Sequence, residues 1–243
     1  MSTNTTPTLF SAVPNTSDYI EKTVAFLTAL ETSRAGYEAR DSVRAIPRLA
    51  YQAGYYLGPE DWAALRATDT FLLPAHLTLP AGVYEQEDPE HQLEHLRYGA
   101  LAQASISWRL LENDEAVPAY DGPRSSHGNL FLFPADLVNG REQPKDSTTW
   151  NVHEFDEGNL WSRKLRYRQR TVSVLVTLCS AEEIARFYSF MHYLRGRYRP
   201  FRYQHFVDDV ERTWRLSSDS FTMKFFNATT AECSLSLTCL EYE

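Results

Sequence analysis

Cysteine is scarce in this chain. Cys179, Cys233 and Cys239 are the only three, an odd number confined to the second half, and no two form a CxxC pair. That spacing excludes a disulfide scaffold and the common zinc and redox motifs, so all three are expected to be buried thiols. Glycine is sparse too, with 10 in 243 residues, and no GxGxxG, GxxxxGK[ST] or GxSxG string occurs. Local phosphate cradles and nucleophile elbows therefore have no support. No apolar run approaches the roughly 18–20 residues that a spanning helix needs. The stretch from Met1 to Phe10 has neither a basic nor an apolar targeting region, so the protein is expected to be made and kept, or assembled, in the cytosol. Excess positive charge is also missing. The net charge is −8, and all of it falls in residues 1–120, which hold 8 Lys+Arg against 16 Asp+Glu; residues 121–243 hold 16 of each. A protein that grips phosphates should be basic, so tight reading of DNA or RNA is excluded.

What the chain does have is a core composition, 43% hydrophobic and 13% aromatic with 23% charged residues, and a pattern that occurs twice. Val172, Val174, Val176 and Leu178 alternate as a strand, as do Tyr51, Ala53, Tyr55 and Leu57, at an offset of 121. A helix follows each. Ser180 and Glu183 form a capping box before Ile184, Phe187, Met191 and Leu194, and Gly196 ends that run. Gly58-Pro59-Glu60-Asp61 opens the other helix, with Trp62, Leu65 and Leu72 at matching places and Asp69 standing where Met191 does. Between Ala102–Glu112 and Ala231–Glu241, five of eleven positions are identical at an offset of 129. The openings match through Leu9-Phe10 with Leu130-Phe131 and Pro14 with Pro134. The expectation is a tandem duplication, 1–120 and 121–243, joined near Asp121-Gly122-Pro123. Each half reads as an arm, a strand, one helix and two or three further strands: an α+β, mainly β fold.

Three segments carry residues with chemical potential. His91-Gln92-Leu93-Glu94-His95 has the HxxEH spacing of inverted zinc peptidases, but it follows an acidic stretch and stops at Gly99, so a solvated loop or short surface helix is expected rather than a metal site. Arg34, Arg40, Arg44 and Arg48, with Arg166, Arg168 and Arg170, cluster before or within the two central strands. Arginine favours bidentate pairing across protein interfaces, so these residues are candidates for an oligomer interface, beside the plainer reading of an exposed strand face. No cofactor, metal or catalytic group is expected.

A family resemblance enters through the segment after the second helix. Arg195-Gly196-Arg197 is followed by Pro200-Phe201, aromatic residues, Asp208 and Asp209, an Arg212-Thr213-Trp214 strand and a last strand running to Leu240-Glu241. This order resembles the minor tail and distal tail proteins of long-tailed bacteriophages. The first half is similar through Ser33–Arg40 and Ile46-Pro47-Arg48, and departs at Pro74-Ala75-His76. The resemblance implies two β-sandwich or barrel units related to the tail-tube fold, each with one flanking helix. It further implies a homo-oligomeric ring, trimer or hexamer, in the virion tail tip, stacked against tail-tube and hub proteins and enclosing DNA. In such a ring the acidic residues Glu85, Glu87, Asp88, Glu90, Asp208, Asp209 and Glu211 are expected to face the channel, where like charge keeps DNA from sticking. A β-sandwich binding module for carbohydrate or a receptor, and a zinc hydrolase using HxxEH, are the alternatives.

Overall fold

The structure is a computed structural model describing residues 7–15, 19–32, 38–43, 46–76, 79–87, 93–95, 102–113, 115–126, 128–138, 143–154, 160–205 and 209–241. It is α+β and mainly β. The first half comprises β1 (Thr8–Leu9), β2 (Ile20–Ala25), β3 (Thr28–Thr32), β4 (Glu38–Ser42), β5 (Arg48–Leu57), α1 (Pro59–Ala67), β6 (Thr70–Leu73), β7 (Gly82–Gln86), β8 (Leu93–His95) and β9 (Ala102–Leu110). The second comprises β10 (Gln143–Glu154), β11 (Leu160–Leu178), α2 (Ala181–Leu194), β12 (Phe201–His205), β13 (Val210–Leu216), β14 (Ser220–Phe225) and β15 (Ala231–Cys239). Among the described residues, thirteen strands join one sheet through both halves, and β3 and β4 form a separate pair. No helix there is long and apolar enough to cross a membrane.

Each half builds its strands in the same order. In the first, β1 lies parallel to β6, followed by β7, β9, β5 and β2, with β8 also on β9. In the second, Leu132 bridges in parallel to β12, followed by β13, β15, β11 and β10, with β14 also on β15. The registers correspond pair by pair. Leu57 faces Ala102 and Tyr51 faces Trp108, as Leu178 faces Ala231 and Val172 faces Leu237. Phe71 faces Tyr84 as Phe201 faces Trp214. Leu93–His95 face Ala104–Ala102 as Met223–Phe225 face Cys233–Ala231. The β3–β4 pair, Thr28 opposite Ser42 through Thr32 opposite Glu38, corresponds to the outer part of the β10–β11 hairpin, Trp150 opposite Lys164 through Glu154 opposite Leu160. The alignment of the opening segments moves: Pro14 bridges Tyr55 as Val138 bridges Val176, so Pro14 corresponds to Val138 rather than to Pro134. Phe10 N–H donates to the Leu72 carbonyl (3.1 Å) and Phe133 N–H to the Arg202 carbonyl (2.8 Å), so Phe10 corresponds to Phe133 rather than to Phe131.

The alternating residues of the central strands are buried as their periodicity dictates: Tyr51, Ala53, Tyr55 and Leu57 on β5, and Val172, Val174, Val176 and Leu178 on β11. Phe10 meets Tyr55 and Phe71 edge-on at 5.6 Å, and Trp108 Nε1 donates to the Tyr55 hydroxyl at 3.0 Å. Phe133 plays the same part against Phe201, at 5.5 Å, and against Phe190 of α2, at 5.6 Å. Such ring pairs add roughly 0.5–1.5 kcal/mol each beyond the area they bury.

The helices differ in length, and their caps explain why. The Ser180 hydroxyl accepts from the Glu183 N–H (3.1 Å), and the Glu183 carboxylate reaches back to the Cys179 N–H (2.7 Å), securing the start of α2. Phe187, Met191 and Leu194 are buried along it, and Arg195 and Gly196 end it in left-handed conformations. In α1 the Asp61 carboxylate accepts from the Gly58 N–H (3.2 Å), and Leu65 is buried as its counterpart Phe187 is. This helix stops at Ala67, before Leu72 can belong to it. The Thr68 hydroxyl accepts instead from the Thr70 N–H (3.3 Å), and Leu72 is an exposed residue of β6, so the sequence match of Leu72 with Leu194 does not hold. Cys179 is exposed, unlike Cys233 and Cys239, which corrects the expectation of three buried thiols. It sits just past the end of β11, in the turn into α2.

Candidate assembly interface

The two halves meet at a sheet edge. β2 pairs with β5 of its own half on one side and with β14 of the other half on the other side. Six residue pairs, from Ser220 opposite Ala25 to Phe225 opposite Ile20, make this joint antiparallel and continuous. Cross-strand side chains reinforce it. The Thr23 and Thr222 hydroxyls share a hydrogen bond of 2.9 Å, and the Lys224 ammonium lies 3.1 Å from the Glu21 carboxylate. At one end, Asp219 accepts from the N–H groups of Thr28 (3.3 Å) and Arg197 (3.0 Å), and its carbonyl accepts from the Phe26 N–H (2.9 Å). Those donors hold its carboxyl below the usual range against the opposing pull of burial. Gly196 is required here, because at φ +66° a Cβ would come within 2.8 Å of the Asp219 Cα.

Behind the joint lies a polar cluster around the buried Lys22. Alternation on β2 turns Ile20, Lys22 and Val24 inward, which puts a lysine where an apolar residue belongs. Its ammonium reaches the Glu115 carboxylate at 3.1 and 3.2 Å and lies 4.2 Å from the Tyr188 ring centre. The Tyr188 hydroxyl donates to the same carboxylate at 2.7 Å. The His192 ring lies tilted against Tyr188 at 4.4 Å and meets Phe26 edge-on at 5.5 Å. Burial lowers the Lys22 pKa while Glu115 partly restores it. Burial likewise drives His192 down to about 4. One carboxylate from the segment after β9 thus ties β2 of the first half to the helix of the second. A cavity of about 560 Å³ opens beside it, lined by Tyr51, Leu79, Gly82 and Glu112 among others. Sequence inspection missed Lys22, Glu115, Tyr188 and His192; the one legible signal was a lysine within the Ile20, Lys22, Val24, Phe26 alternation.

The residues singled out from sequence distribute as follows. Arg40 lies on β4 opposite Leu30, while Arg168 and Arg170 lie on β11 opposite Thr148 and Asp146. Arg166 falls where that hairpin shifts register. Arg48 opens β5, with its guanidinium 3.9 Å from Glu87, so a candidate interface residue and a candidate channel residue are neighbours. Glu85 on β7 is ion-paired to Arg109 across the strands. Glu211 lies 3.8 Å from Arg202 and accepts from the Ser125 hydroxyl, and Asp209 accepts from the Gln204 amide. Arg34, Arg44, Asp88, Glu90 and Asp208 lie outside the described residues.

The HxxEH string also divides. His91 and Gln92 lie outside the described residues, whereas Leu93, Glu94 and His95 form β8. An extended backbone cannot supply the helical spacing of that motif, and the expected loop or short helix gives way to a strand because β9 offers it a pairing edge. Among the described residues no group of three or more His, Cys, Asp or Glu could hold a metal ion. No known family profile and no curated protein matches the chain.

Proposed function

We propose that the chain is two copies of one mainly β unit, 1–120 and 121–243, each a β-sandwich or barrel related to the tail-tube fold. On this reading it is a structural protein that builds a homo-oligomeric ring in a bacteriophage tail tip, joining the tail tube to the hub around the DNA channel. The observation that carries the reading is the paired strand order, matched residue by residue, together with a β2–β14 joint that unites two similar units edge to edge. Units that join in this way can continue head to tail and close a ring, three copies supplying six units or six copies twelve. Placement in the phage tail is supported by the likeness of Arg195–Tyr203 and the strands after it to distal tail proteins.

No catalytic group or cofactor is part of this role. The acidic excess of the first half would keep a channel wall from holding DNA. Light scattering with negative-stain imaging of the purified chain tests the proposal: rings of three or six copies with a central opening are expected. A strictly monomeric particle that binds a glycan array would refute it in favour of a binding module.

A further inference from the structure

The joint inside the chain has two halves, and each half has a counterpart left open. β2, one partner, corresponds to the start of β10: Glu21 to Ala25 face Gln52 to Arg48 of β5, as Gln143 to Ser147 face Ser173 to Gln169 of β11. β14, the other partner, corresponds to β8, since both lie at the same register on the last strand of their half. Among the described residues β2 and β14 each have two neighbours, whereas β10 pairs only with β11 and β8 only with β9. Among the described residues one chain therefore contains one completed joint, one open edge of the β2 kind and one open edge of the β14 kind.

We infer that β8 of one copy pairs antiparallel with the start of β10 of the next copy, repeating between chains the union that β14 and β2 make within one. The inference rests on the duplication proposed above. The two edges are different surfaces, so the contact is head to tail; the same step repeated around an axis closes a ring and covers both the β8 and the β10 edge of every copy. The internal joint also sets the register. Lys224 faces Glu21 and Met223 faces Lys22, which places Glu94 opposite Gln143 and Leu93 opposite Pro144 of the neighbour. Proline at that position removes one backbone donor, a feature tolerated on an edge strand and one that discourages pairing with arbitrary strands.

Cysteine cross-linking tests this arrangement in a Cys179→Ser background, which removes the exposed native thiol. Directly opposed residues of an antiparallel pair have Cβ atoms roughly 4.5–5.5 Å apart, close enough for a disulfide after small adjustment. Mixing a Glu94→Cys copy with a Gln143→Cys copy should give a covalent dimer, and a copy carrying both substitutions should give a closed covalent ring. The shifted pair Leu93→Cys with Gln143→Cys should cross-link several-fold less. Hydrogen exchange of the unsubstituted chain should slow at 93–95 and 143–147 as dilute copies assemble. Rings that persist in light scattering without the mixed dimer and without that protection would overturn the joint and leave the ring reading standing. Glu94→Cys dimerising alone as fully as the mixture would overturn the head-to-tail order. Monomers at every concentration would overturn both readings.

Discussion

Glu115→Ala should destabilise the protein far more than Lys22→Met, although each removes one member of the same ion pair. Glu115 accepts from the Lys22 ammonium at 3.1 Å and from the Tyr188 hydroxyl at 2.7 Å, so its loss strands two donors. The Lys22 side chain is 9% exposed and cannot turn to water, whereas the Glu115 side chain is 37% exposed and can. Breaking a fully buried pair costs about 3–5 kcal/mol when the survivor stays charged. Water already reaches Glu115, so the pair is discounted to about 2–3 kcal/mol. Lys22→Met places an unbranched apolar chain beside Tyr51 and Tyr188 and leaves Glu115 to solvent and the Tyr188 hydroxyl, so its net effect should lie within about 1 kcal/mol of zero. The double variant should exceed Lys22→Met only by the stranded Tyr188 hydroxyl, about 1 kcal/mol. Urea unfolding followed by tryptophan fluorescence reads this directly: with a slope near 3 kcal/mol/M, Glu115→Ala should lower the midpoint by about 0.7–1 M. Equal costs for the two single variants, or additive costs in the double, would refute the view that desolvation of Lys22 makes Glu115 indispensable.

Two more expectations follow from the same joint. His192 has its pKa lowered from 6.5 to about 4, so the unfolded chain binds the extra proton first, and stability is lost as pH falls from 6.5 through 4. With a discount for partial exposure this amounts to about 2 kcal/mol, and His192→Leu should flatten that part of an acid titration followed by thermal unfolding. Gly196→Ala forces an L side chain to φ +66° against the Asp219 backbone and should cost about 1–3 kcal/mol, seen as a lower melting temperature in calorimetry.

Local chemistry was legible wherever a period or a cap carried it. The alternations at Tyr51–Leu57 and Val172–Leu178 became β5 and β11 with the expected residues inside, and the Ser180 cap began α2 where its side chain indicated. Places that failed were those where neighbours outvoted propensity. Leu93–His95 looked like part of a polar loop and became a strand, because β9 presented unpaired backbone groups beside it. Phe10 found Phe133 as its counterpart through hydrogen bonds to two other strands, which no one-dimensional alignment contains.

The sequence alone determined the mainly β class, the burial faces of the central strands and a pattern occurring twice, because side-chain period and capping act within a few residues. Only the tertiary structure decided that β2 of one half meets β14 of the other and that Lys22 and Glu115 sit together behind that meeting. Such contacts join residues 93 to 199 positions apart. What selects them is the burial of shared surface and the pairing of strand edges in the folded chain, to which local sequence contributes only the groups that meet.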